Sequence, residues 1–492
     1  MLVSRPDSRD PAWVDLIEVI VRLRGLAWLA LAIVFQSMAG LAQDSGPPST
    51  SPSTGNSPST SAPSPAPPDL TQASLEDLLK MQVTSVSKKS QSLSRAGAAV
   101  FVITQEDIRR SGATNLPDVL RLAPGVNVAR VNTSNWAVSI RGFNDVYADK
   151  VLVLIDGRSV YNPVFSGVLW DAQNVPLEDI ERIEVIRGPG GTVWGANAMN
   201  GVINIITKNT KDMQGGLVTA GGGSETYAGG LAQYSGAIGS KGTYRVFGQY
   251  SDLASAPLPS GENSGDGSQS YRTGFRSDWN LTPRDTMTVQ GDFQQSREGE
   301  NITTIISDAL PSQRTFTQRV EDSGANVLGR WNHVLDGGSE VSFQLYDDYS
   351  RNTLDESLWQ NTTDHDFQDH VAFGTRQDIV WGLGARLVAY DLDPGYSLAF
   401  QPAGGMNLLS STFVQDEVKI SNGLSLIIGS KFEHNAYTGF EFEPSAQLVW
   451  NPTARQSFWL SAARAIRQPT RSTRRFSMTR RSSLRRAAVS GY

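Results

Sequence analysis

The stretch Glu181–Lys208, ERIEVIRGPGGTVWGANAMNGVINIITK, decides the fold. Two β-branched runs, Ile183–Ile186 and Val202–Ile206, flank a turn-rich middle, and runs of this kind fit strands buried on both faces. Gly188, Pro189, Gly190, Gly191, Gly195 and Gly201 lie between or beside them and permit tight turns and positive φ. Arg187 leaves the first strand straight into the turn.

Upstream, the same texture continues. Lys150–Ile155 reads as a buried strand closed by Asp156-Gly157. Val138-Ser139-Ile140-Arg141-Gly142 is a short strand ending in a turn. Val100–Ile103 is a strand, and Thr104 with Asp107 caps a helix that stops at Gly112. Asn115 and Pro117 begin another helix, which ends before Pro124-Gly125. Val83-Thr84-Ser85-Val86-Ser87 is extended, and Ser74 with Asp77 caps a helix ahead of it. Residues 70–211 therefore form a small mixed α/β domain of about 140 residues.

Downstream of Gly216, helix signals vanish and period-two alternation takes over. Tyr244, Val246 and Tyr250 oppose Thr243, Arg245 and Gln249. Met287, Val289 and Phe293 oppose Thr288, Gln290 and Asp292, and Leu424, Leu426, Ile428 and Phe432 oppose Ser425, Lys431 and Glu433. Short turns at 282–285, 336–338 and 421–423 contrast with long polar connections at 253–269, 299–318 and 353–363. Short turns at one end and long loops at the other are the pattern of an antiparallel transmembrane barrel; a soluble β-sandwich also alternates, but strands of this length favour the barrel. Residues 216–466 hold about 13 candidate strands.

Composition sets the remaining bounds. The chain has 492 residues, 39% of them hydrophobic, and no apolar run long enough for a membrane helix. Its net charge of −6 argues against nucleic acid as a partner, and the absence of cysteine excludes thiol catalysis, thiolate metal sites and disulfides. Arg22 and Arg24, the apolar run Leu26–Phe35 and Gly40-Leu41-Ala42 read as a signal peptide over residues 1–42, with an amphipathic helix as the alternative. Residues 43–69 are a Pro/Ser/Thr-rich linker. Residues 467–492 form a tail in which Arg471, Arg474, Arg475, Arg480, Arg481, Arg485 and Arg486 occur with no acidic residue. It reads as an anion-binding tail or as an out-of-frame end.

Catalytic signals are weak. The glycine turn lacks the GxGxxG spacing and the later acidic residue of a dinucleotide site, and no phosphate-binding loop occurs. Asp364, His365, Asp366 and His370 match no metal-ligand spacing, lie in or beside a polar connection and read as a solvated loop or strand end. No catalytic residue, metal site or cofactor is expected. Arg141 and Arg187 each end a buried strand before a glycine, where a guanidinium needs carboxylates or carbonyls; Glu184 is near in sequence.

The Glu181–Lys208 signature, with Leu116–Leu120 and Pro124-Gly125-Val126, Ile140-Arg141-Gly142 and Leu152–Gly157 (LVLIDG), resembles the plug domain of TonB-dependent outer-membrane receptors. The resemblance covers roughly residues 70–466 and implies a plug inside a barrel of the Gram-negative outer membrane. It further implies a scarce ligand such as a ferric siderophore or cobalamin, and energy supplied by TonB. Val83, Thr84, Ser85 and Val86 resemble the TonB box, which is read by strand addition. Arg141 and Arg187, with Glu184, resemble arginines that pair with barrel glutamates, and Glu417 resembles such a partner. Trp136, Tyr147, Tyr161, Phe165 and Trp170 are the plug candidates for facing ligand; packing against the barrel wall is their alternative. The family barrel has twenty-two strands, upwards of about 220 residues before loops. About 280 residues follow Gly216, so the barrel reads as truncated and unable to close. The rival expectation is a non-transporting relic or a periplasmic plug-containing binding protein.

Overall fold

The computed structural model describes residues 82–305, 313–353, 357–393, 402–453 and 456–471. The signal peptide, the linker, the capped helix at 74–81 and the arginines from Arg474 onward lie outside the described residues.

The plug is built on a five-stranded sheet in the order β3-β8-β9-β6-β7: β3 is Ala99–Thr104, β6 Val151–Ile155, β7 Arg158–Ser159, β8 Ile180–Arg187 and β9 Gly201–Thr207. The two runs of the signature are β8 and β9, paired antiparallel, while β6 joins β9 in parallel. Central strands covered on both faces need apolar side chains on both, and β6 is buried throughout. Asp156 and Gly157, with φ of 50° and 83°, turn β6 into β7 through two residues of left-handed backbone, the pattern that hairpin twist favours.

Helix α1 (Gln105–Ser111) carries a capping box. Thr104 Oγ1 accepts from Asp107 N, the Asp107 carboxylate accepts from Thr104 N (2.9 Å), and Gly112 closes the helix at φ 72°. Helix α2 (Leu116–Leu120) is capped by Asn115, with Pro117 in its first turn. Both helices lay apolar faces (Ile108, Leu116, Val119, Leu120) on a core shared with Ile103, Ile140, Ile183, Ile203 and Ile205. A hairpin of β4 (Val126–Arg130) and β5 (Trp136–Ile140) flanks it, and β1 (Gln82–Val83) pairs with β2 (Gln91–Ser92).

The second part is one antiparallel sheet of 13 strands in chain order, β10 (Gly215–Gly221) through β22 (Gln456–Ala463). Its alternation is inverted relative to a soluble protein. Arg245, Arg272, Asp278, Gln344, Asp364, Lys431 and Glu433 are buried against the plug side, while Val246, Phe275, Phe293, Leu383, Phe432 and Trp450 are exposed on the opposite face. Apolar outward and polar inward is the arrangement lipid demands of a barrel wall.

Two connections differ from expectation. Strands β14 (Asp285–Ile305) and β15 (Gln313–Val334) run through most of 299–318, and β17 (Ser357–Phe373) absorbs Asp364–His370. The ladders continue past membrane depth, so polar sequence there is strand rather than loop.

Candidate functional site

At the short-turn end of the wall, the chain ahead of the plug is locked onto β8. Val83 and Ser85 are fully buried. The Glu184 carboxylate, also fully buried, accepts from Thr84 N (3.0 Å), Ser85 N (2.8 Å) and Ser85 Oγ (2.6 Å). Arg182 Nε donates to the same carboxylate at 2.9 Å and supplies its countercharge. Trp194, the last residue of helix α3 (Gly191–Trp194), donates its indole N–H to Ser85 O (2.5 Å), and Asn204 reaches Ser85 Oγ (2.9 Å). An unpaired carboxylate at this depth would be costly; two backbone N–H groups, a hydroxyl and a guanidinium stabilise it.

Two lysines continue this segment into the wall. Lys88 pairs with Asp366 (2.9 Å) and lies over the rings of Trp194 and Phe413. Lys89 pairs with Asp378 (3.0 Å) and Glu417 (2.8 Å). Glu417 thus faces the plug, but its partner is Lys89. Arg187 donates to Pro124 O (3.2 Å), and Arg141, at φ 57°, is exposed with no ion pair among the described residues. The expected contact of these arginines with wall glutamates is corrected accordingly: the turn after β8 directs Arg187 back onto the Pro124-Gly125 bend. Glu184 instead serves the Thr84–Ser85 backbone.

The turn between β6 and β7 is a second contact with the wall. Thr207 N donates to Asp156 (2.9 Å), as do Thr207 Oγ1 (2.7 Å) and Gln290 (2.9 Å), and Arg276 stands 3.8 Å away. Burial raises the Asp156 pKa, but Arg276 and these bonds outweigh it and hold the carboxyl below its ordinary value. Arg158, buried, pairs with Asp348 of β16 (Glu340–Thr353).

Between plug and wall lie two cavities. One of about 460 Å³ runs beside Thr84, Lys88 and Lys89, past Arg330 and Asp364, to Tyr161 and Gln468. The other, about 110 Å³, shares Tyr161, Asn197, Arg386 and Gln468 with it and adds Gln360, Asn407 and Tyr437. Tyr161 borders both, and burial pushes its phenol up to about 12, so it stays a neutral donor. The Tyr346 hydroxyl, in the second cavity, is buried without a hydrogen-bond partner among the described residues. Polar groups converge beside aromatic rings in both, and cavities of these volumes suit a small group or one edge of a larger molecule.

The other aromatic candidates divide. Tyr147 is exposed and stacks on Phe165 at 5.9 Å, while Phe165 also packs toward Leu358, Val388 and Leu392 of the wall. Trp136 and Trp170 belong to the plug core, at 7% and 6% exposure, so the expectation that they face ligand is corrected. Trp136 lies under the guanidinium groups of Arg121 and Arg130, which complete its burial. The histidine set does not gather: Asp364 bonds Arg386 (2.7 Å), Asp366 bonds Lys88, and His370 bonds Asp378 (2.7 Å). Sequence reasoning missed Lys88 and Lys89. Two adjacent lysines ahead of a buried domain are their only local signal.

Comparison with known proteins follows the same division. The model described as TonB-dependent Receptor Plug Domain matches residues 92–202, and that described as TonB dependent receptor-like, beta-barrel matches residues 212–487. The vitamin B12 transporter BtuB of Vibrio vulnificus is 36% identical over 145 residues, 29% of this chain and 23% of that protein. BtuB of Vibrio cholerae is 38% identical over 202 residues, 40% of this chain and 31% of that protein. The match thus spans less than a third of these relatives' length. Among solved structures, a mutant of the ferric enterobactin receptor PfeA of Pseudomonas aeruginosa superposes with a TM-score of 0.60 at 20% identity, covering 76% of this chain and 62% of that one. The siderophore receptor PirA of Pseudomonas aeruginosa gives 0.56 at 21%, covering 75% and 65%. At these identities the structures speak to fold.

Proposed function

The chain belongs to the TonB-dependent receptor family of the Gram-negative outer membrane, and on that premise we propose that it takes up a large, scarce nutrient, a cobalamin or a ferric siderophore. The observation that carries this reading is the layout of the plug–wall interface. A docked segment, strand at Gln82–Val83 and turned at Ser85–Ser87 where the sequence predicted an extended run, lies at the short-turn end, polar cavities lined in part by aromatic residues lead from it between plug and wall, and the plug packs against the wall around them.

Val83–Val86 are the segment TonB would take by strand addition, with backbone bonds supplying the affinity. In the docked state Glu184 occupies the Thr84 and Ser85 N–H groups that such a strand would use. Capture by TonB therefore requires release from Glu184, and a ligand favours capture only insofar as it binds the released state more tightly. Tyr147, Tyr161 and Phe165 are the plug residues proposed to meet the ligand. The work is transport, driven through TonB, and no step is chemical.

The test is uptake by cells lacking their own receptors and carrying the full chain. Radiolabelled cyanocobalamin and ferric enterobactin are supplied in turn, with and without TonB. TonB-dependent accumulation of either supports the proposal, and cobalamin is the first probe because the BtuB relatives are the more similar in sequence. Uptake equal to that of cells without the chain, for both probes, would end it.

A further inference from the structure

After β22 the chain turns inward and lies along the plug. Arg464 N extends the ladder to Pro444 O (2.9 Å), and Ile466 N donates to Glu443 of β21 (Gly439–Thr453) at 3.1 Å. The next bonds go to the plug. Ile466 O accepts from Asn197 N (2.8 Å), and Asn197 Oδ1 accepts from Gln468 N (2.9 Å). Arg467 pairs with Asp149 (2.7 Å), and Thr470 Oγ1 meets Ser166 Oγ at 2.9 Å. Asn197 is 6% exposed and Thr470 2%. Residues 464–470 form neither helix nor strand, so their backbone groups depend on partners of this kind, and Asn197 serves two of them.

The plug side of this seat is a small closed unit. Gly190 N donates to Ala198 O (2.8 Å) and Trp194 N to Gly190 O (3.0 Å), which ties residues 190–198 into one turn. Gly191 backs onto the wall so closely that a Cβ there would overlap Glu443 Oε2. The same turn carries Trp194, whose indole holds Ser85 O of the docked segment (2.5 Å). The group that grips residues 464–470 and the group that grips Ser85 therefore stand three positions apart in the chain.

Gln468, Pro469 and Thr470 also line the smaller cavity, together with Tyr346 and Gln360. At about 110 Å³ that cavity admits only a small group while these residues are seated. A larger edge of a ligand fits only when they lift, and so binds the lifted state more tightly, which is what a shift of population requires. We propose that residues 464–470 are a sensing strap. A ligand edge in the small cavity lifts it, Asn197 loses its two strap bonds, and the 190–198 turn gives up its hold on Ser85. Asn197 is the positioning residue of this device, whose purpose rests on reading residues 83–86 as the segment that TonB takes.

Two thiol reporters test the coupling in the full chain, in outer-membrane preparations with neither ligand nor TonB. Val83→Cys reports release of the segment and Thr470→Cys lifting of the strap, since both positions are buried. Asn197→Gly removes the side-chain acceptor, and glycine adopts the φ of 74° found there without strain. Loss of one hydrogen bond converts to a change of about two- to tenfold, so maleimide labelling of V83C should rise by that factor in N197G. Coupling is reciprocal. S85P removes an N–H that Glu184 holds and frees the segment, so it should raise the labelling of T470C. T133A deletes a plug–wall bond elsewhere, from Thr133 Oγ1 to Ala254 O (3.2 Å), and should alter neither reporter. A rise of less than about twofold for V83C in N197G, T470C indifferent to S85P, or an equal rise of V83C in T133A would overturn the proposal. Should N197G cost the plug its protease resistance, T470C with S85P decides alone. Uptake of both nutrients can fail while these labelling results stand, and the reverse, so the two readings fall separately.

Discussion

Replacing Glu184 by Gln should undock residues 83–86 while leaving the plug folded. The carboxylate holds two backbone N–H groups at 3.0 and 2.8 Å and two hydroxyls, Ser85 Oγ at 2.6 Å and Thr84 Oγ1 at 3.4 Å. Glutamine keeps one acceptor oxygen, but it turns an NH2 toward donors and removes the charge. A hydrogen bond to a charged acceptor contributes about 1.5–3 kcal/mol, so losing one to two of them costs about 2–4 kcal/mol. That converts to a roughly thirty- to several-hundred-fold increase in the undocked fraction. The Trp194–Ser85 bond remains and keeps the shift from being larger. The chain contains no cysteine, and Val83 is fully buried, so Val83→Cys gives a single thiol that reacts only when the segment leaves. Maleimide labelling of V83C with and without E184Q, in outer-membrane preparations, reads the ratio directly. A change below about threefold, with plug protease resistance intact, would refute the view that Glu184 is the lock.

Other consequences are equally measurable. Burial raises the Asp179 pKa to about 6 despite Arg245 at 3.2 Å, so the folded plug favours the protonated acid. That contribution, up to about 3 kcal/mol, is present below about pH 4 and lost as pH rises through 6; urea unfolding of D179N should lack this slope. Arg158→Ala leaves Asp348 facing the plug uncompensated and should destabilise docking by about 3 kcal/mol; D348A in the same background should restore part of it, read as trypsin sensitivity of the plug. A Cβ at Gly201 would overlap Ile186 O, a backbone atom that cannot swing away, whereas Gly112 has open space around it. G201A should therefore cost about 2–4 kcal/mol and G112A about 1, compared by denaturant unfolding; equal costs would contradict the packing described.

Local features of the fold were legible because local chemistry sets them. The Thr104–Asp107 box, the Asp156-Gly157 turn and the β-branched runs of β8 and β9 each follow from residues within a few positions of one another. Helix α3 was not foreseen, since four residues carry no helical period. The interface was the least legible part. Lys89 and Glu417 are separated by 328 positions, and nothing in either neighbourhood names the other. Trp136 and Trp170 misled because an aromatic residue near a turn fits a ligand surface and a core equally well, and only packing decides. The polar run 353–363 misled because a strand that continues beyond lipid no longer needs apolar residues on its outer face.

Glu184 also determines how tension would enter the plug. It lies on β8, opposite Val102 of the edge strand β3. A load applied to the chain ahead of Val83 would meet the β1–β2 pairing and this carboxylate first, and so would reach the second strand of the sheet without passing through the first. The carboxylate would then act as a mechanical fuse. Once it had parted, the ion pairs of Lys88 and Lys89 would carry the load to the wall, and only after them would force fall on β3, which can peel from β8 one pair at a time while the parallel β6–β9 centre stays unloaded.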